Sequence, residues 1–240
     1  MKKLFGFTLA EVLITMGIVG VVAAITTPVL VANIQRQAYS ATAKTTVGDL
    51  ENALSTVLAA EQVDSLFESS IWANGAVNAN TADKDTFINA LQRYLKIDHF
   101  ENINASTYYT SHGTNSHEIA ENGGVGRVNQ IPNGNGYFPV ILKSGVVVFI
   151  SINEAAANGI AGWAWIDVNA TEPPNTYGRD ILSFAIIDDG RLAPIGSQLL
   201  HDRANFSLWN TAGCCPRNGV LRQGVTCTAR LVENNYNFDY

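Results

Sequence analysis

Between Glu11 and Arg36 the chain carries no charged residue, so Val12–Gln35 is an uninterrupted uncharged stretch of 24 residues. At a rise of 1.5 Å per residue, a helix of this length extends about 36 Å, which exceeds the roughly 30 Å hydrocarbon core of a bilayer. The segment is therefore long enough to span a membrane. Only Lys2 and Lys3 precede it as cations, and the positive-inside rule places the N-terminus in the cytoplasm and the later residues outside.

The composition of the whole chain describes a folded acidic protein. Lys and Arg number 15 against 21 Asp and Glu, the formal net charge is −6, and 47% of residues are hydrophobic while 15% are charged. This excludes a disordered chain and a basic nucleic-acid binder, so no nucleic-acid partner is predicted. The length of 240 residues fits one large domain or one domain with an appendage.

Three interpretations of the N-terminus compete. An ordinary secretory signal peptide would be cut near Val22–Ala24, where small residues follow one another. A plain single-pass anchor leaves Glu11 unexplained, because a carboxylate at the centre of a membrane helix costs roughly 2.5 to 3.5 kcal/mol on insertion scales and less near the interface. The third interpretation gives the Glu11 carboxylate a partner.

That third interpretation rests on a resemblance carried by residues 2–11. Lys2-Lys3-Leu4-Phe5-Gly6, followed by Phe7-Thr8-Leu9-Ala10-Glu11, resembles the class III signal of type IV pilins and type II secretion pseudopilins. The resemblance implies that a membrane-embedded prepilin peptidase cuts after Gly6 and methylates the new N-terminal Phe7.

The resemblance also implies that Glu11 is paired with another subunit. Removing residues 1–6 frees the ammonium group of Phe7, and a neighbouring subunit shifted along the bundle axis brings that cation beside the Glu11 carboxylate. Because buried ion pairs often add little net stability, we interpret the pair as a device that fixes the register between helices. The resemblance extends through Gly20 and Pro28, where the family's helix loosens and kinks, and a proline there is expected to bend or locally open the helix.

Helical periodicity continues past the uncharged stretch. Apolar residues recur at spacings of three and four through Val47, Leu50, Leu54 and Leu58, while charged residues occupy other positions. We predict one helix from about Phe7 to Ala60, with its first half in the membrane or filament core and its second half packed on a sheet.

The remaining residues predict a head that contains both helix and sheet. A second helix is predicted over Ala82–Lys96, and the Asn-, Ser-, Thr- and Gly-rich segment Asn102–Asn135 is predicted to be irregular. Four apolar runs with short connections predict antiparallel strands: Tyr137–Leu142, Val146–Ile152, Trp163–Val168 and Ile181–Ile187. The expected fold class is α+β, a long N-terminal membrane-spanning helix packed on an antiparallel sheet, similar to the family's helix with a four-stranded sheet. The expected division is a leader at 1–6, a transmembrane or filament-core helix at 7–35 and an exposed head at 36–240.

Three cysteines lie near the C-terminus, on the predicted topology outside the membrane and in an oxidising compartment. Cys227 with either Cys214 or Cys215 would close a loop of about a dozen residues. Family members often staple a C-terminal loop in this way, but the adjacent pair departs from the usual two-cysteine pattern and leaves one thiol unplaced. Zinc is the weaker alternative, since the three cysteines lack C-x-x-C spacing and a nearby histidine.

Asp167, Asn169 and Asp180 supply oxygen ligands between predicted strands. The stretch that contains them resembles a segment of some pseudopilins in which a nearby loop holds calcium, so the resemblance makes these residues candidate calcium ligands. The D-x-[DN]-x-[DN]-G spacing of a self-sufficient calcium loop is absent, and turn formation explains Asp and Asn equally well. No other cofactor is expected.

These expectations describe a structural subunit and not an enzyme, because the sequence lacks G-x-S-x-G, H-E-x-x-H and phosphate-loop motifs. The resemblance implies a single-pass subunit of the cytoplasmic (inner) membrane, with its head outside, that is drawn into an extracytoplasmic filament. That filament would be a type IV pilus, a type II secretion pseudopilus or a DNA-uptake filament, in which so large a head favours a minor subunit. The implied partners are other subunits, prepilin peptidase, an assembly ATPase and a platform protein. The alternatives are a membrane-anchored binding or adhesion module that never polymerises, and an exported enzyme whose mature chain begins near Ile25.

Overall fold

The computed structural model describes residues 8–72, 84–112, 137–152, 157–170, 172, 175, 178–200 and 227–237. Gly6 and Phe7, the predicted processing residues, lie outside this part of the chain, as do Cys214 and Cys215. The chain divides into two compact units, one ending at Ala38 and the other comprising the residues that follow it. The division falls within the first helix.

The structure bounds four α-helices, and residues 198–200 at the edge of a described range are helical as well. The four bounded helices are α1 (Leu9–Glu61), α2 (Lys84–Leu91), α3 (Ala105–Ser111) and α4 (Cys227–Glu233), and a 3-10 turn (Leu66–Glu68) follows α1. The long predicted helix is therefore confirmed, with its C-terminal end one residue beyond the expected position.

A capping motif ends α1. Gln62 adopts a left-handed conformation with φ of 56°. The Val63 N–H donates to the Leu58 carbonyl at 3.1 Å and the Gln62 N–H donates to the Ala59 carbonyl at 3.4 Å. This pair of bonds is the Schellman arrangement, in which the reversed chain satisfies carbonyls that the last helical turn leaves free. Val63 then packs against the apolar core.

One six-stranded antiparallel sheet forms the centre of the second unit. Its strands follow one another in chain order as β1 (Ile97–Phe100), β2 (Phe138–Leu142), β3 (Val147–Ile152), β4 (Ile160–Asp167), β5 (Ile181–Ile187) and β6 (Leu192–Pro194). The four predicted strands are confirmed, whereas the expectation of a four-stranded sheet is wrong. The two additional strands lie at the edges and have only four and three residues, too few for a clear alternating pattern.

The sheet buries both of its faces. One face packs with the second half of α1, through Leu50, Leu54 and Val57, in the larger apolar cluster. The opposite face forms a second cluster in which Tyr109 of α3 packs on Phe149 of β3, with ring centroids 5.2 Å apart. Double burial explains why all seven residues of β5 are apolar or small and fully buried. The α+β class is confirmed.

The head differs from the sequence expectation in two helical segments. Helix α2 ends at Leu91, five residues before the predicted end at Lys96, because the chain turns there and buries Leu95 before entering β1. The segment predicted to be irregular contains α3, whose first turn is capped by Asn104: its Oδ1 accepts the Thr107 N–H at 2.8 Å.

Candidate functional site

The first unit of the chain exposes large apolar side chains in every direction around α1. Leu13, Met16, Ile25 and Val29 are each 62–68% exposed. By length and composition, α1 is the one helix among the described residues that is able to cross a membrane. A helix that is apolar all round has no water-facing side, so its side chains require lipid or other helices around them.

Glu11 lies in the first turn of α1 and is bonded to Thr8, the residue that caps the helix. The Thr8 backbone N–H donates to Glu11 Oε2 at 2.8 Å, and the Thr8 hydroxyl donates to the same oxygen at 2.7 Å. In return, the Glu11 N–H donates to the Thr8 hydroxyl oxygen at 3.3 Å. This reciprocal arrangement is a capping box, which satisfies backbone donors that the first turn of a helix leaves free.

The capping box supplies a partner for Glu11 that the sequence analysis did not identify. The earlier interpretation took the carboxylate to need a cation from another subunit, whereas Thr8 of the same chain already donates two hydrogen bonds to it. The signal was present in the sequence, since Thr8-x-x-Glu11 has the spacing of a capping box. Both residues lie after the predicted cleavage point, so processing would leave the box in place.

Hydroxyl groups farther along α1 are satisfied within the helix. The Thr15 hydroxyl is 2.9 Å from the Glu11 carbonyl and 3.0 Å from that of Val12, and the Thr26 hydroxyl donates to the Val22 carbonyl at 2.9 Å. Such bonds to the preceding turn lower the cost of placing hydroxyls in an apolar environment.

The structure continues α1 through both residues where a kink was predicted. Pro28 lies inside the helix, and Gly20 lies a little over two turns before it. Among the described residues, no atom lies within 4 Å of the Cβ that an alanine would add at Gly20. The fold of the single subunit therefore does not require a glycine there. The kink itself stays a prediction.

A buried pair of carboxyl groups lies at the other predicted site. Asp167 at the end of β4 and Asp180 before β5 are both 0% exposed. The Tyr109 hydroxyl of α3 donates to Asp167 Oδ2 at 2.6 Å, and the Asn169 N–H donates to Oδ1 at 3.3 Å. Burial raises the pKa of Asp167 well above its usual value; the hydrogen bond from Tyr109 opposes this, and the charge of Asp180 adds to it. Tyr109 escaped the sequence analysis because it lies 58 residues from Asp167.

The three candidate calcium ligands lie close together in the fold. The Val168 N–H donates to the Asp180 carbonyl at 2.9 Å, which places Asp180 beside the segment that contains Asp167 and Asn169. Asn169 Oδ1 is buried and has no hydrogen-bond partner in the described part of the chain. Two carboxyl groups and a free amide oxygen are the type of donor that calcium prefers. They fit by type but fall short in number, since the described residues include no group of three or more His, Cys, Asp or Glu suited to a metal ion.

The C-terminal segment is bonded to both α1 and the sheet. Cys227 at the start of α4 is fully buried, and its disulfide bond with Cys214 or Cys215 stays a prediction. The next residue, Thr228, accepts the backbone N–H of Ser183 in β5 at 2.9 Å. At the other end of α4, the Tyr236 carbonyl accepts a hydrogen bond from the hydroxyl of Ser40 in α1.

Comparison with known protein families identifies the N-terminal segment. Residues 1–27 match the model of a family described as the prokaryotic N-terminal methylation motif, which is the class III prepilin leader of type IV pilins and pseudopilins. The resemblance found in the sequence is therefore confirmed for this segment, which includes Gly6, Phe7 and Glu11. Neither the comparison with curated proteins nor the comparison with solved structures gives a match.

Proposed function

We propose that this chain, whose first 27 residues carry the prokaryotic N-terminal methylation motif, is a structural subunit of an extracytoplasmic filament. Prepilin peptidase removes residues 1–6 and the new N-terminal Phe7 is methylated. Residues 7–35 anchor the subunit in the cytoplasmic membrane and then form the filament core. Residues 36–240 form the exposed head. The filament is a type IV pilus or a related secretion or DNA-uptake fibre, built by an assembly ATPase and a platform protein.

The observation that carries the proposal is the coincidence of the motif with an apolar helix that is exposed all round. The match ends at residue 27, and large apolar side chains remain exposed as far as Ile34. A secretory signal cut near Ile25 would leave the exposed apolar side chains from Ile25 to Ile34 on the mature chain without apolar surroundings. A membrane followed by a core of neighbouring helices provides the apolar surroundings that these side chains require.

The first experiment determines the N-terminus of the mature chain. Mass spectrometry of protein purified from membranes of cells that contain a prepilin peptidase is expected to show a chain that begins at Phe7 and carries one added methyl group. Gly6→Ala is expected to leave the leader attached. A mature chain that keeps residues 1–6 beside a functional peptidase, or that begins near Ile25, contradicts the proposal.

The second experiment separates a filament subunit from an anchored binding module. Glu11→Ala is expected to abolish incorporation into filaments while the protein still reaches the membrane, because the neighbour's ammonium group loses its counter-ion. Filaments sheared from cells and quantified by immunoblotting provide the measurement. Absence of the wild-type chain from the sheared filaments favours a membrane-anchored module that does not polymerise, and normal incorporation of Glu11→Ala contradicts the pairing between subunits.

We propose two further features of the head, both of which support its stability. Cys227 closes the C-terminal loop with Cys214 or Cys215, and single substitutions of these two residues followed by thiol labelling identify the partner. Calcium binds beside Asp167, Asn169 and Asp180. Calcium is then expected to raise the unfolding midpoint relative to a chelator, and Asp180→Asn is expected to remove the difference. An unchanged midpoint contradicts calcium binding.

A further inference from the structure

A pocket of about 370 Å³ lies between the last turns of α1 and the end of α2. Three apolar side chains line it: Val57, which is buried, Ala60, and Ala90, which packs against the core of the head. Polar side chains from both helices and from the turn after α2 surround them. The volume lies in the range of pockets that hold small ligands, in which a few polar groups around apolar surface fix the orientation of the ligand.

The pocket contains one negative and one positive side chain, which come from different elements and do not pair with each other. Glu61, in the last turn of α1, accepts the Ser70 N–H at 2.6 Å with Oε2 and the Ser70 hydroxyl with Oε1. The guanidinium group of Arg93, in the turn after α2, makes no ion pair or hydrogen bond within the described residues. Its five N–H donors are therefore available to a ligand.

These side chains suit a ligand that joins a carboxylate to hydroxyl groups. A guanidinium group binds a carboxylate through two parallel hydrogen bonds. On the α1 side, Glu61 and the negative end of the helix dipole repel an anion, but the Glu61 carboxylate still has acceptor positions for hydroxyl groups. Asn89 can donate and accept, and Tyr94 is 39% exposed, so its ring offers a face for the C–H groups of a flat ligand.

We propose that this pocket binds one hexuronate residue, a sugar ring that carries a carboxylate. The carboxylate pairs with Arg93, hydroxyl groups donate to Glu61, and the ring lies on the apolar side chains beside Tyr94. A sulfate ion would meet the repulsion of Glu61 without donating hydrogen bonds to it, and a neutral sugar would leave the charge of Arg93 without a counter-ion. The pocket lies in the head, and the inference does not depend on the proposed assembly into filaments.

The first experiment compares acidic sugars with neutral sugars of the same ring. The full chain in detergent micelles is titrated with D-galacturonate and D-glucuronate, and with D-galactose and D-glucose as the matched neutral sugars, and binding is followed by saturation-transfer NMR. We expect at least one hexuronate to bind with a dissociation constant of about 1 mM and its neutral counterpart to bind about tenfold more weakly. Failure of both hexuronates to bind, or equal affinity for acidic and neutral sugars, overturns the inference.

Two pairs of variants test the location of the site. Arg93→Gln removes the charge and is expected to weaken hexuronate binding about tenfold, whereas Lys143→Gln removes an exposed cation in the turn between β2 and β3 and is expected to bind as wild type does. Ala60→Leu fills the pocket and is expected to abolish binding, whereas Ala59→Leu, at an exposed position that does not line the pocket, is expected to have no effect. Wild-type affinity in Arg93→Gln or in Ala60→Leu overturns the inference.

A trimer of galacturonate distinguishes the two sources of such a ligand. Tighter binding of the trimer than of the monomer identifies a polysaccharide, whose neighbouring residues add contacts outside the pocket. Equal binding identifies the free sugar. Either result supports the site, and failure of both trimer and monomer to bind, with glucuronate also inactive, overturns it.

Discussion

Gly190 lies against the backbone of α1 and provides a sharp test of how the sheet packs on this helix. It follows Asp188 and Asp189 in the turn between β5 and β6 and has φ of 87°. A Cβ placed on it would lie 3.3 Å from the backbone nitrogen of Ser55 and 3.4 Å from Leu54 Cβ. Gly145, in the turn between β2 and β3, has nearly the same φ of 86°, with no atom of the described residues within 4 Å of its added Cβ.

The two glycines therefore separate backbone strain from packing. An alanine at either position is held in a left-handed conformation, which costs about 1–2 kcal/mol. At Gly190 the new methyl group also meets the backbone of α1, which cannot rotate away as a flexible side chain would. Overpacking of this kind adds about 1–3 kcal/mol. We expect the free energy of unfolding to fall by about 1–2 kcal/mol in Gly145→Ala and by about 2–5 kcal/mol in Gly190→Ala.

Urea unfolding of the full chain in detergent micelles measures this difference. Trp72 and Trp165 are 6% and 7% exposed, so their fluorescence reports on the head. In thermal unfolding, each kcal/mol corresponds to roughly 2–4 °C for a domain of this size. Equal losses in the two variants would refute the conclusion that the β5–β6 turn presses on α1.

Three more predictions follow from contacts in the head. Burial raises the pKa of Asp167, so above the usual pKa of 3.8 the native chain keeps a proton that the unfolded chain loses. The free energy of unfolding therefore falls as the pH rises from 3.8 towards the native pKa. Asp167→Asn is expected to flatten this dependence in unfolding midpoints measured across pH, and an unchanged slope contradicts it. Thr228→Val strands a buried N–H of β5, and a loss of about 1–3 kcal/mol is expected in urea unfolding, where no loss would contradict the bond. The Glu51 carboxylate accepts the Leu192 N–H at 2.8 Å, so Glu51→Ala is expected to speed amide hydrogen exchange in β6. Unchanged exchange would show that this hydrogen bond does not protect the strand.

Strong periodic signals in the sequence predicted the framework of the molecule. The uncharged stretch and the apolar spacing from Val47 to Leu58 together predicted α1 nearly to its last residue, because a long helix repeats its signal many times. Long apolar strands such as Ile181–Ile187 were predicted for the same reason. The methylation motif was identified because its residues are contiguous.

Features that depend on distant or very short segments were not predicted. Strand β6 has three residues and exists through its pairing with β5, so its own sequence carries little signal. The bond between Tyr109 and Asp167 joins residues that only the fold brings together. The Thr8–Glu11 capping box is different, because the spacing that forms it, Thr8-x-x-Glu11, is contiguous in the sequence and was therefore predictable.

The layer formed by α3 has a consequence for how the head meets other molecules. Since Tyr108 and Tyr109 pack on the side of the sheet that faces away from α1, a partner that binds to α3 on that side contacts the helix and not the strands beneath it. Substitutions at outward positions of α3, such as Thr107, can change what is recognised while the strands keep their pairing. The residues on the outer surface of α3 that a partner would contact are therefore different from the residues that hold the sheet together.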